Sequence, residues 1–161
     1  SQADQDRVPV PPEYETPERR RERLRRRVLR GDWPDPIRDA PAGGPAGRAA
    51  RRLLWQELRD MKAIAREMDK ELAEQRAAQQ ELAKKLRAAE RQNPDNRELR
   101  NQRVAAEGQA RYMLPWRTRA IDDMVRVLAR GRPVPRAARH LRAGVDLPAR
   151  AHHWTGDERS W

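Results

Sequence analysis

Residues 50–92 carry one register of small and medium apolar side chains at alternating steps of four and three. They are Leu54, Leu58, Met61, Ala65, Met68, Leu72, Leu82, Leu86 and Ala89, with Gln75 and Gln79 at the two middle positions. A repeat near 3.5 residues is the seam of a supercoiled helix, and one helix alone has nothing to bury such a seam against. The sequence therefore speaks first about association. The stripe closes either on a second arm of the same chain or on another chain. The two glutamines read as a polar layer that fixes register at some cost in stability, or as a stretch where the seam is open to water.

Little else builds a core. Apolar residues make up 37% of the 161, aromatics 4%, and Phe is absent. A fully buried large apolar side chain contributes roughly 1.5–3 kcal/mol, against about 1–2 kcal/mol of chain entropy for each ordered residue. The expectation is an all-α, extended molecule: a helical hairpin or coiled coil with irregular basic tails that need a surface to lie on. Cys is absent, which rules out disulfides and thiolate metal sites. No run approaches the ~18 apolar residues of a membrane span.

Five segments follow from composition and punctuation. Residues 1–16 are acidic and Pro-rich, with Asp4, Asp6, Glu13 and Glu15 against Arg7, and read as an extended N-terminal path unlike a targeting peptide. Residues 17–30 read as an Arg-rich helix: Thr16 caps it, Pro17 takes its first position and Gly31 ends it. Residues 31–49 are a Pro/Gly linker whose Trp33 plugs a neighbouring groove. Residues 50–131 hold the hairpin and a third helical segment. Asn93-Pro94-Asp95-Asn96 breaks the first arm, and Asp95 or Asn96 caps the second. Counting back from this turn sets Ala106 near Leu82 and Ala110 near Gln79. After Pro115, the spacing of Ile121, Met124, Val125 and Leu128 marks a helix with one buried face. Residues 132–161 form a basic tail. Helix packing is expected at Leu54, Leu58, Met61, Ile64, Met68, Leu72, Leu82, Leu86, Ile121, Val125 and Leu128.

Catalytic chemistry finds no footing. The chain has no phosphate-loop, dinucleotide, nucleophile-elbow or zincin motif. Asp122 and Asp123 are adjacent on a helix and diverge by about 100°. His140 is isolated, and His152 and His153 are neighbours on an extended segment that point apart. No metal, cofactor or small-molecule substrate is expected.

Charge carries the positive signal. The net charge is +11, from 36 Lys and Arg against 25 Asp and Glu. Guanidinium makes bidentate phosphate contacts that ammonium does not. Arg19, Arg20, Arg21, Arg23, Arg25, Arg26, Arg27 and Arg30 crowd one helix, and Arg136, Arg139, Arg142 and Arg150 follow in the tail. These twelve are the expected RNA contacts. An acidic protein or an anionic membrane surface are the competing partners of the Arg helix. Charges in 47–92 interleave and read as a solvated exterior.

The expected function is a non-catalytic structural subunit of a large ribonucleoprotein, contacting rRNA and neighbouring subunits, with Trp33, Trp116, Trp154 and Trp161 as anchors on them. In general build the chain resembles accessory proteins of organellar ribosomes, which implies a mitochondrial matrix location, with the cytoplasm as alternative. The rival is a coiled-coil adaptor of a cytoskeletal, phage-structural or respiratory complex, without RNA.

Overall fold

The computed structural model describes residues 1–135. The described chain is mostly helical and contains no strand, so the all-α expectation holds. Five α-helices follow in order: α1 (Gln2–Asp6), α2 (Pro17–Arg30), α3 (Gly44–Gln92), α4 (Arg97–Tyr112) and α5 (Arg117–Ala129), with a 3-10 turn at Pro12–Tyr14 between the first two. Local chemistry sets several ends. The Thr16 hydroxyl accepts from the Arg19 amide, Pro17 follows it, and Gly31 closes α2 at φ 66°, a left-handed conformation that suits glycine. Asn96, rather than Asp95, caps α4 by accepting from the Glu98 and Leu99 amides.

The core lies where α2, the first half of α3 and α5 meet. It comprises Leu24 and Val28 of α2, Leu58, Met61, Ile64, Ala65 and Met68 of α3, and Ala120, Ile121, Met124 and Leu128 of α5, with Trp33, Trp116 and Val134. Leu54 is also buried, and Val125 is only partly so. Trp33 and Trp116 thus fill the chain's own interior rather than grooves on neighbours. Trp154 and Trp161 lie outside the described residues. Leu29, which shares a face with Leu24 and Val28 only loosely, points to water.

The expected linker is folded. Trp33, Pro34, Asp35 and Pro36 are buried, and the Asp35 carboxylate gathers three backbone amides: Ile37 and Arg38 at 3.0 Å and Val134 at 3.0 Å. That last bond ties the segment after α2 to the segment after α5. Helix α3 then starts at Gly44, earlier than the seam suggests, with Gly47 pressed against the chain before it. A Cβ at Gly47 would sit 2.5 Å from the Pro41 carbonyl oxygen. Gly47→Ala is therefore expected to lower stability by about 1–3 kcal/mol through this clash, although alanine favours helices by about 1 kcal/mol. A urea midpoint that rises instead would show that the Pro41 segment yields freely.

Past Met68 the seam departs from its expected register. Leu82 is 45% exposed while Ala83 is buried, and the inward positions become Leu72, Arg76, Gln79, Ala83 and Leu86. A straight helix turns every 3.6 residues, so a 3.5-residue stripe drifts by about 20° per heptad. Over the length of α3 that drift carries Leu82 off the contact line. Helix α4 returns antiparallel along this half. Glu90 meets Arg103 at 2.5 Å, Glu107 meets Arg87, and Arg76 Nε donates to the Ala110 carbonyl at 3.1 Å. Ala106 and Ala110 are buried between the two helices.

Helix α5 has no cap of its own at Trp116. Asp69 of α3 supplies it, accepting from the Arg117 and Thr118 amides at 3.3 and 2.8 Å. A carboxylate at a helix N-terminus satisfies free amides and the helix dipole together. No helix among the described residues is long and apolar enough to cross a membrane.

Candidate nucleic-acid interface

Helix α2 presents far less charge to its surroundings than its sequence suggests. Glu57, 1% exposed, accepts from Arg23 Nη2 at 2.6 Å and Arg27 Nη1 at 3.1 Å, with Arg20 at 3.7 Å. Asp6, also 1% exposed, accepts from Arg26 at 3.0 Å and Arg30 at 2.7 Å. Glu15 meets Arg23 at 3.0 Å, Asp60 meets Arg20 at 2.7 Å, and Glu67 meets Arg21. Arg20 and Arg23 also donate to the Val10 and Asp6 carbonyls.

Six of the expected RNA contacts, Arg20, Arg21, Arg23, Arg26, Arg27 and Arg30, are therefore occupied by the chain's own carboxylates. Arg19 and Arg25 remain at the surface, as does Arg21 in its exposed pair with Glu67. Arg136, Arg139, Arg142 and Arg150 lie outside the described residues, as do all three histidines. The N-terminal segment is the other half of this correction. It does not trail away as an extended path, because Asp6 and Glu15 dock it onto α2.

Burial and pairing pull these arginines in opposite directions. Burial opposes the charge of Arg23, but the hydrogen bonds it donates to Glu15 and Glu57 outweigh burial and raise its pKa. At Arg27 burial wins and lowers the pKa, despite Asp32 and Glu57 nearby. Its Nε has no hydrogen-bond partner, and Asp32 stands 3.7 Å away.

Asp6 is held far below the ordinary carboxylate range, first by the hydrogen bond from Arg26, against the cost of burial, and then by Arg30 and Gln2. A depressed folded value means that this contribution is complete above the unfolded value near ~3.9 and fades as pH falls below it. Acidification from about pH 4 downward is expected to release residues 1–15, read as faster amide exchange in α1. Asp6→Asn is expected to exchange fast at neutral pH and to lack the acid step. An acid step retained in Asp6→Asn would assign it to another group.

No family model, curated protein or solved structure matches this chain. Its site is thus read from geometry alone, and the geometry points to α3. Arg52, Arg59 and Arg66 stand seven residues apart, with Arg48 and Lys70 four residues beyond each end. On a helix of 3.6 residues per turn these five share one narrow stripe. All five are exposed, and none has a carboxylate within ion-pair distance among the described residues. Lys84 and Arg91 continue the line at the same spacing, past Ala77. The stripe from Arg48 to Lys70 spans about 33 Å at 1.5 Å per residue. Half-buried Trp55 borders it, packed on the core by its inner edge.

The nearby acids of this half of α3 are engaged on its other faces. Glu57, Asp60 and Glu67 face α2, and Asp69 caps α5. Asp122 and Asp123 diverge as expected, one to Lys62 and the other to Arg126. The grouping was present in the sequence as a 4-7-7-4 spacing of cations. It was missed because interleaved charges look like a solvated exterior until the buried face is known.

Proposed function

We propose that the chain is a non-catalytic structural subunit of a ribonucleoprotein that lies along an RNA backbone with the outward stripe of α3. The observation that carries this reading is the row Arg48, Arg52, Arg59, Arg66 and Lys70, exposed and unanswered by any carboxylate among the described residues. A rigid row of cations at regular spacing matches a polyanion, and each phosphate it neutralises releases condensed counterions. Rigidity matters, because guanidiniums already fixed on a packed helix lose less freedom on binding than those on a disordered arm.

A non-catalytic role is supported by the use of the buried acids. Asp6, Asp35, Glu57 and Asp69 each hold donors that the fold itself requires. In this reading α3 and α4 form a helical hairpin with coiled-coil packing, which serves as a projecting arm. The basic segment after α5 supplies further contacts. RNA is preferred over sequence-read duplex DNA because the stripe presents backbone contacts without a recognition helix set for a groove. The likeness in build to organellar ribosomal accessory proteins makes a mitochondrial-type ribosome the first assembly to test.

The test is sedimentation of native extracts. Cofractionation of the chain with a ribosomal subunit, lost when the RNA is digested, supports the proposal. A light, RNA-free fraction that keeps its protein companions after ribonuclease overturns it and favours the adaptor.

A further inference from the structure

The two flanks of the α3–α4 pair differ in chemistry. One groove is lined by Arg76, Lys84, Arg87, Glu107 and Arg111. The other is lined by Gln79, Leu82, Leu86, Gln102, Ala105 and Gln109, with no charged side chain. In a chain whose residues are 38% charged, an uncharged strip on the outside of two helices is an exception. It is also patterned. On α3, Gln75, Gln79, Leu82, Leu86 and Ala89 step by 4-3-4-3. On α4, Gln102, Ala105, Gln109 and Tyr112 step by 3-4-3.

Both helices thus aim a heptad seam into the same groove. Leu82 is 45% exposed there. Closer to the core, α2 covers the corresponding side of α3, at Glu57, Asp60 and Glu67. Beyond Glu67 no described element takes its place.

We propose that a second copy of this chain fills the groove, the two arms packing side by side about a two-fold axis. Charge selects a copy as the occupant. Two molecules at +11 repel through their basic faces, and the neutral groove lets them approach without bringing like charges together. The polar groups select it again. A glutamine amide both donates and accepts, so a glutamine layer is complementary to its own image. Ala105, exposed on the groove, allows the helices of the two copies close approach, and the glutamines fix register. This inference is independent of the RNA reading, since the cationic stripe lies on another face of α3.

The test is the mass of the purified full-length chain in solution at high micromolar concentration. Twice the chain mass of 18.8 kDa is expected for the wild type. Leu82→Glu and Ala105→Glu, each placing a carboxylate against its own image, are expected to return the monomer with helix content intact. Lys84→Glu, on the opposite flank, is expected to leave the dimer. Should Leu82→Glu lose helix content, Gln109→Lys serves in its place. Because the chain has no cysteine, Leu82→Cys also reports directly, as a bridge formed between copies by a short thiol cross-linker. A wild type that stays monomeric, or a dimer indifferent to Leu82→Glu, Ala105→Glu and Gln109→Lys alike, overturns the proposal.

Discussion

Replacing Glu57 with alanine is expected to remove about 3–5 kcal/mol of stability, a large part of the roughly 5–15 kcal/mol that holds a domain of this size. The side chain is 1% exposed and its two oxygens serve different guanidiniums, Arg23 at 2.6 Å and Arg27 at 3.1 Å. Alanine leaves both positive charges in place, 5% and 2% exposed, and strips Arg23 of one acceptor and Arg27 of its hydrogen-bonded carboxylate. Arg27 suffers most, because its Nε already lacks a partner and burial already lowers its pKa. The expected readout is a sharp fall in urea midpoint, with loss of near-ultraviolet signal from the core tryptophans Trp33 and Trp116.

The same network makes a sharper prediction when all its members go together. Desolvating charges costs about as much as their attraction returns, so a well-packed apolar substitute often does as well. A triple variant, Arg23→Met, Arg27→Leu and Glu57→Leu, is expected to recover most of the stability lost by Glu57→Ala. That recovery would locate the cost in stranded charge. Failure to recover would show that Glu15 and the Asp6 carbonyl, which also hold Arg23, depend on it for the docking of residues 1–15.

What could be read in the sequence was what is local. Thr16, Pro17 and Gly31 bracket α2 because a cap, a fixed φ and a left-handed residue act within one turn. The turn at 93–96 and the buried face of α5 were legible for the same reason. The destination of the arginines was not. Asp6, Glu15 and Glu57 lie far from their partners along the chain, and composition cannot say which carboxylate meets which guanidinium. A run of eight arginines looks the same whether it faces phosphate or the chain's own acids.

Trp33 and Trp116 were misplaced by a related argument. A chain with few large apolar groups was expected to lend its tryptophans to neighbours, but a scarce core has the greatest use for them at home. The seam of α3 was legible up to Met68, where helix α2 and helix α5 hold it. Beyond that, the difference between 3.5 and 3.6 residues per turn accumulates, and Leu82 is lost from the interior.

These misreadings share a cause that also explains the candidate interface. The arginines of α2 pair with Glu57, Asp60 and Glu67 on other faces of α3, while the cation row of α3 points outward. The helix that looked like the binding element turns most of its charge inward, and the outward row belongs to α3. It follows that Arg52→Gln, Arg59→Gln and Arg66→Gln together are expected to weaken RNA binding strongly while leaving the fold alone. Exposed positions of this kind change stability by less than about 0.5 kcal/mol each. Every phosphate contact removed flattens the dependence of log K on log salt by roughly 0.7–0.9, so the triple variant should lose about two units of slope or more. Arg19→Gln with Arg25→Gln, which remove the two unpaired surface cations of α2, should flatten it by less. A slope unchanged in the triple variant but reduced in the α2 pair would return the interface to α2. A wild-type chain with no salt-dependent affinity for structured RNA would remove it from both helices.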